Sequence, residues 1–167
     1  MTAERQETSP SRLGIALIHV LAGIWFACCG LSVQAATTER IVVNRFSGVA
    51  MEGFDPVAYF VEGAAAQGTA EFEASLWGAV WRFRNEGNRA SFLAHPEVYG
   101  PQFGGYDPTD IARGVVVAGN PRFFVIAAQR LYLFSREDNR DAFAVDPERF
   151  LYEVNKRWPA LQDQLSQ

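Results

Sequence analysis

The amino-acid sequence predicts an α+β fold, in which a small antiparallel sheet is built from two ββα-type units with packed helices. Two observations lead to this prediction. Short runs of alternating polar and apolar residues, typical of half-buried strands, are each followed by a helix-type segment. The same order then recurs after a shift of 51 residues, the separation of Glu86 from Glu137, and the match needs no gap.

The first unit is predicted to contain one hairpin and one helix. The strand Thr69–Leu76 alternates apolar residues with glutamates and a serine, and the strand Ala79–Phe83 follows after a short turn. The helix Glu86–Ala94 is predicted to begin after Asn85, a residue type that caps helix N termini, and to end before Pro96.

The second unit repeats this order, with a hairpin predicted at 123–127 and 131–134. Its helix is predicted to begin after Ser135, with Asp138 placed three residues on as in a capping box, and a final helix is predicted from Asp146-Pro147 to Trp158, stopped by Pro159. The residues matched by the shift include Phe83 and Phe134, Asn88 and Asn139, Arg89 and Arg140, Phe92 and Phe143, and Pro96 and Pro147. Core packing and capping account for nearly all of these matches, so the repeat indicates architecture rather than function.

Residues 1–35 are typical of an export signal. An apolar run at 13–31 follows a polar segment with two arginines, and Val33-Gln34-Ala35 places small residues where a signal peptidase cleaves. An uncleaved membrane anchor is the alternative, because the run approaches the length of a membrane span. We expect a protein that is periplasmic or otherwise exported, and membrane-anchored if the leader is retained.

The rest of the chain is divided into a lead-in segment (36–48), a domain (49–158) and a C-terminal tail (159–167). Both cysteines, Cys28 and Cys29, lie in the leader, so the mature domain would hold no disulfide, thiolate metal site or thiol nucleophile. The formal net charge is −4 and there is no basic run, which argues against nucleic acid as a partner. Membrane contact is expected only through the N-terminal segment, if it stays uncleaved.

Two Asp-Pro pairs and one Gly-Gly pair mark the segments with candidate functional residues. Asp55-Pro56 and Asp107-Pro108 are helix-start signals, because the carboxylate accepts hydrogen bonds from free amides and proline suits the first turn. Gly104-Gly105, flanked by aromatic residues, predicts a tight turn in a conformation that side chains disfavour.

Five motifs together suggest a family. They are Gly53-Phe54-Asp55-Pro56-Val57-Ala58-Tyr59-Phe60, Trp81-x-Phe83, Glu86-x-Asn88-Arg89-x-x-Phe92-x-x-x-Pro96-x-x-Tyr99, Pro101-Gln102-Phe103-Gly104-Gly105-Tyr106 and Leu131-Tyr132-Leu133. Over 49–158 the chain resembles the exported YHS-domain proteins of bacteria, whose domains are generally treated as metal-binding modules without established catalytic residues. The resemblance implies a non-catalytic YHS-like binding domain that takes a metal ion or a small ligand.

The chain departs from that family's pattern at its donor atoms. Members commonly carry a cysteine after the Gly-Gly-Tyr motif, where this chain has Asp107, and Arg84 and Asn85 stand where other family cysteines occur. A soft thiolate site is therefore excluded in the mature chain, and an oxygen-rich metal site would use Asp107 and Asp55. The alternative role for both carboxylates is helix capping, which explains directly why each precedes a proline.

The candidate ligand-binding residues surround the two Asp-Pro turns and the Gly-Gly turn. They are Asp55, Tyr59, Tyr99, Gln102, Gly104, Gly105, Tyr106 and Asp107, with Trp77, Trp81 and Phe103 as further candidate pocket walls. For the aromatic residues the alternative is a place in the hydrophobic core.

Candidate catalytic residues are few. His95 is the only histidine outside the leader, and it or a close Asp55–Asp107 pair would have to act as the base, so an enzyme is not predicted. Zinc coordination would need more ligands than one histidine. The alternative to a ligand-binding domain is a protein-interaction module of the cell envelope that has lost metal binding. Its partner would contact exposed aromatic residues such as Trp77, Phe103 and Phe123.

Overall fold

A computed structural model of the chain describes residues 40–165, which belong to one compact unit. The predicted export signal, its cleavage site and both cysteines lie outside the described residues, so the expected localisation stays a prediction. Within residues 40–165 no helix is both long and apolar enough to cross a membrane.

The described chain alternates short helices with two hairpins. The helices are α1 (Ala58–Val61), α2 (Glu86–Ala94), α3 (Pro96–Tyr99), α4 (Pro108–Ile111), α5 (Glu137–Val145) and α6 (Pro147–Gln164), and the strands are β1 (Thr69–Leu76), β2 (Ala79–Phe83), β3 (Asn120–Ala127) and β4 (Arg130–Phe134). Two 3₁₀ turns, Met51–Gly53 and Gln102–Gly105, precede α1 and α4. The α+β fold class is confirmed. We call 49–99 the first unit and 101–150 the second unit.

Each hairpin forms its own two-stranded antiparallel sheet, where the sequence predicted one small sheet. β1 pairs with β2 and β3 pairs with β4, and the register shifts at the equivalent place in both pairs. On the edge of β2 that does not pair with β1, Val49 forms a parallel bridge to Val80. On the equivalent edge of β4, Pro101 forms a parallel bridge to Leu131.

The duplication extends further upstream than the gapless sequence match. Phe54 bridges to Gln67 as Tyr106 bridges to Ala118, and Gly53 O accepts from Gly68 N as Gly105 O accepts from Gly119 N. Upstream of the hairpins the shift is 52 residues, the separation of Asp55 from Asp107, instead of 51. One residue is therefore missing from the loop of the second unit that leads into β3, which hides this part of the repeat from an ungapped comparison.

The hydrophobic core follows the repeat. In the first unit Trp81, Phe83 and Phe92 are fully buried, and in the second unit Phe134 and Phe143 take the equivalent buried places. A third cluster forms where α6 packs on α4, around Ile111, Val154 and Tyr106.

The final helix does not stop at Pro159, as the sequence predicted, but continues to Gln164 with the proline inside it. Pro159 has no N–H to donate to the carbonyl of Asn155, but that residue is exposed and its carbonyl can be hydrated. The following turn is held by packing, because Trp158, Leu161 and Leu165 contact the cluster around Ile111. Tertiary contacts thus outweigh the local stop signal.

Candidate functional site

Asp55 is fully buried, and its carboxylate accepts hydrogen bonds from other residues of the first unit. Its Oδ1 accepts from the backbone N of Val57 at 2.8 Å, and its Oδ2 accepts from Arg84 N at 2.8 Å and from Asn88 Nδ2 at 2.6 Å. A buried carboxylate is stable only when such donors replace water. Asp55 therefore fastens the turn before α1 to the end of β2 and to α2.

Asp107 repeats this arrangement in the second unit. It is the N-cap of α4, with Oδ1 accepting from Thr109 N at 2.7 Å, which is the role that the capping alternative predicts. Its Oδ2 accepts from Ser135 N at 2.8 Å, from Ser135 Oγ at 2.8 Å and from Asn139 Nδ2 at 2.7 Å. Asn139 matches Asn88, so a buried Asp–Asn pair has been kept at the same place in both units.

The two predicted metal ligands are thus each engaged inside their own unit, and they share no recorded hydrogen-bond partner. Among residues 40–165 no group of three or more His, Cys, Asp or Glu side chains is placed to hold a metal ion. Asp55 and Asp107 act on the fold by joining a turn to a hairpin and a helix.

The second unit contains an additional buried carboxylate, Asp110, at the position that Ala58 occupies in the first unit. Its Oδ2 lies 2.9 Å from Ser135 Oγ and 3.1 Å from Asn139 Nδ2, and its Oδ1 accepts from Arg113 at 2.6 Å. Burial alone would raise the pKa of Asp110, but the hydrogen bonds from Ser135, Arg113 and Asn139 and the charge of Arg113 outweigh it and hold that pKa below its usual value.

This cluster also corrects the predicted start of the second-unit helix. Ser135 does not cap α5, because its hydroxyl is held by Asp107 and Asp110, and the N-cap residue is Arg136 without a side-chain cap bond. In the first unit Asn85 does cap α2, accepting from Asn88 N at 2.8 Å.

The Gly-Gly turn forms a bend whose φ angles are positive at Phe103 (54°), Gly104 (65°) and Gly105 (90°). A Cβ at Gly104 would lie 1.8 Å from the carbonyl oxygen of Arg40, and Gly104 O accepts from Val42 N at 2.8 Å. The equivalent residue in the first unit is Glu52, which is exposed at φ 51°. Glycine is therefore needed at 104 because the lead-in segment crosses the bend there.

An open groove of about 490 Å³ lies over this bend. We call it the aromatic groove, and its lining residues are Arg40, Ile41, Trp77, Phe103, Gly104, Trp158 and Gln162. They come from the lead-in segment, the hairpin turn of the first unit, the bend of the second unit, and α6. Phe103 meets Trp158 edge to face with the ring centroids 5.7 Å apart, and Trp77 meets Trp81 edge to face at 6.1 Å.

The structure brings few of the predicted ligand-binding residues into this groove. Gly104 lines it, as do Trp77 and Phe103 from the further candidates, whereas Trp81 and Tyr59 are fully buried core residues. Gln102 and Gly105 belong to the same bend without lining the groove.

The three predicted tyrosines occupy separate places. Tyr59 donates its hydroxyl to the carbonyl of Pro121 at 2.8 Å, and burial, with the nearby charge of Asp55, raises the pKa of Tyr59 well above its usual value. Tyr99 is half-buried against Phe60. Tyr106 is buried against Trp158 and lines a second, smaller cavity of about 270 Å³.

His95 is exposed at the end of α2, with Nδ1 3.6 Å from Glu97 Oε1. Sequence reasoning missed Arg40, Trp158 and Gln162 as groove residues. They lie in the lead-in segment and in α6, outside the Asp-Pro and Gly-Gly turns that local signals marked as candidate sites, so those signals did not point to them.

No protein-family model, no curated protein and no solved structure matches this chain. The resemblance to exported YHS-domain proteins therefore stays a prediction, and function has to be inferred from the geometry.

Proposed function

We propose that this protein is a non-catalytic, exported binding domain whose small-molecule site is the aromatic groove. The observation that carries the proposal is the placement of Trp77. It sits at a turn position with φ 55°, in the left-handed region that bulky residues rarely adopt, and its side chain is 48% exposed. The equivalent position in the second unit holds Ala128 at φ 49°, so the turn itself does not require an aromatic residue.

The groove suits a ligand because its walls are fixed before binding. Trp77 is braced by Trp81 and Phe92, and Phe103 is held between Tyr132 and Trp158. Rigid aromatic walls with a few polar groups are typical of small-molecule sites, and a preformed site loses little side-chain entropy when it binds.

Under this proposal Asp55 and Asp107 serve the scaffold instead of a metal ion. Every oxygen of the two carboxylates already accepts at least one hydrogen bond from the surrounding unit. A metal at either residue would have to displace these donors, which are buried or partly buried and would then lack partners.

The test is a screen of chemically diverse small molecules by thermal shift on the full chain and on two variants. Trp77→Ala removes one wall of the groove and introduces alanine, the residue at the equivalent position of the second unit. Tyr152→Ala is the control, because Tyr152 is 64% exposed on α6 outside the groove. We expect compounds that stabilise the wild type and Tyr152→Ala but not Trp77→Ala. A screen without stabilising compounds, or hits that Trp77→Ala leaves unchanged, would overturn the proposal.

The second candidate is the protein-interaction module of the cell envelope. It is supported by the exposure of the three aromatic residues expected at such a surface, since Trp77 is exposed and Phe103 and Phe123 are only half-buried. A photo-crosslinking residue placed at 77 in the native envelope separates the two functions. Crosslinking to one defined protein, together with a screen that finds no small ligand, would favour the interaction module.

A further inference from the structure

We infer that the aromatic groove takes a flat aromatic molecule that carries a carboxylate, with its ring against Trp77, Phe103 and Trp158 and its acid group at Arg40. This inference rests on the proposed function and names the ligand class of the same site.

The charge at the groove indicates the sign of the ligand. Among the described lining residues, Arg40 is the only one with a charged side chain, and Gln162 is the only other one with a polar side chain. A guanidinium binds a carboxylate through two parallel hydrogen bonds, which fixes both the charge and the orientation of the ligand. The chain as a whole has a formal net charge of −4 and so does not attract anions. The local positive charge of Arg40 is therefore what would favour an anionic ligand at the groove.

The position of Arg40 is fixed by its backbone. The carbonyl of Arg40 packs directly on Gly104, and two residues further on Val42 N donates to Gly104 O at 2.8 Å. The backbone at 40–42 is thereby anchored at the edge of the groove, while Arg40 stays exposed to solvent. A ligand can therefore meet the guanidinium without rearrangement of the backbone.

The walls indicate the shape of the ligand. Two indoles and one phenyl ring offer faces and edges for stacking, an interaction that stabilises a ring pair beyond the burial of its area. The volume of about 490 Å³ lies inside the range of small-molecule sites and leaves room for one or two fused rings with an acid group.

The same residues argue against other ligand classes. An aromatic cage for a quaternary ammonium group would be opposed by the positive charge of Arg40. A metal ion would find no carboxylate, histidine or thiolate among the described lining residues.

Three probes with the same ring system test the inference by calorimetric titration of the full chain. They are naphthoate, its neutral analogue naphthamide, and the cationic naphthylmethylammonium. We expect naphthoate to bind about tenfold more tightly than naphthamide, the difference of one charge-assisted hydrogen-bonded pair, and the cation to bind most weakly.

Two variants locate this preference. Arg40→Gln removes the charge and is expected to bring naphthoate down to the affinity of naphthamide. Its control is Arg149→Gln, which removes an arginine of α6 that lies over Phe150 and does not line the groove. Trp77→Ala is expected to weaken all three probes. Because the side chain of Arg40 is exposed, Arg40→Gln should leave the melting temperature unchanged.

The outcomes separate this inference from the proposed function. If naphthoate shows no preference, if none of the probes binds, or if Arg40→Gln leaves the preference unchanged, the inference is overturned, while the compound screen decides the proposed function independently. Binding of all probes that is insensitive to Trp77→Ala would overturn both.

Discussion

The buried carboxylates of the two units should differ in what their removal does to stability. Asp55→Ala leaves Val57 N, Arg84 N and Asn88 Nδ2 without their acceptor. Each buried donor without a partner costs about 1–3 kcal/mol, so for the three donors we expect a loss of about 3–9 kcal/mol, comparable to the total stability of many domains.

Asp107→Ala should cost less, although Asp107 accepts more hydrogen bonds. Two of its donors, Ser135 Oγ and Asn139 Nδ2, also reach Oδ2 of Asp110, which can keep them satisfied. The backbone amides of Thr109 and Ser135 lose their main acceptor, and that of Asp110 loses a longer hydrogen bond of 3.3 Å. Removal of one of two neighbouring carboxylates also relieves charge repulsion. We expect Asp107→Ala to be about 1–3 kcal/mol less destabilising than Asp55→Ala.

The assay is urea unfolding of the wild type and both variants, followed by circular dichroism. The double variant Asp107→Ala/Asp110→Ala tests the cause directly, because the shared donors then lose both acceptors. We expect its destabilisation to exceed the sum of the two single changes by about 1–3 kcal/mol. Equal costs for Asp55→Ala and Asp107→Ala, or a double variant that is additive to within about 0.5 kcal/mol, would refute the reasoning.

Four further predictions concern the bend, the pH dependence and the metal content. Gly104→Ala should lower the free energy of unfolding, measured by urea titration, by about 2 kcal/mol or more, because the new Cβ would meet the lead-in backbone and the residue has a positive φ. The control is Glu52→Gly at the equivalent exposed position, which should be neutral or stabilising. The lowered pKa of Asp110 contributes stability that is present above the usual carboxyl pKa and is lost as the pH falls through the folded-state value, so acid titration of Asp110→Asn should show a weaker loss than wild type. The raised pKa of Tyr59 contributes stability that is complete below about pH 10. This contribution is lost as the pH rises further, because the tyrosine ionises in the unfolded chain before it ionises in the folded protein. Alkaline titration of Tyr59→Phe should therefore show a smaller loss of stability than that of the wild type. Elemental analysis of protein isolated from its native cells should find no stoichiometric metal, and metal that is present in the wild type and lost in Asp107→Ala would restore the metal-binding interpretation.

Local rules were sufficient for much of this fold. The hairpins follow from the alternation of residues in β1 and β2, the start of α2 follows from Asn85, and the capping of α4 by Asp107 follows from the Asp-Pro pair. Each of these features depends on hydrogen bonds or periodicity within a few residues, which the sequence displays directly. The repeat was visible for the same reason, since both units use the same local signals.

The site depended on contacts between residues that are distant in the sequence. Sequence reasoning placed Asp55 and Asp107 at a possible metal site, but their acceptor atoms are taken by residues about 30 positions away, such as Asn88 and Asn139. Asp110 similarly accepts a hydrogen bond from Ser135, a residue 25 positions away that only the fold places beside it. A motif shows which donor and acceptor types are present, but not which of them meet.

What the sequence by itself determined is the doubled architecture, together with the helix caps at Asn85 and Asp107, because these arise from interactions along the chain. What only the tertiary structure decided is the aromatic groove. Arg40, Trp77 and Trp158 come from the lead-in segment, the first hairpin and the last helix, and they meet because the lead-in backbone crosses Gly104 and α6 packs on α4. Close packing of separate elements created this surface, and no local pattern encodes it.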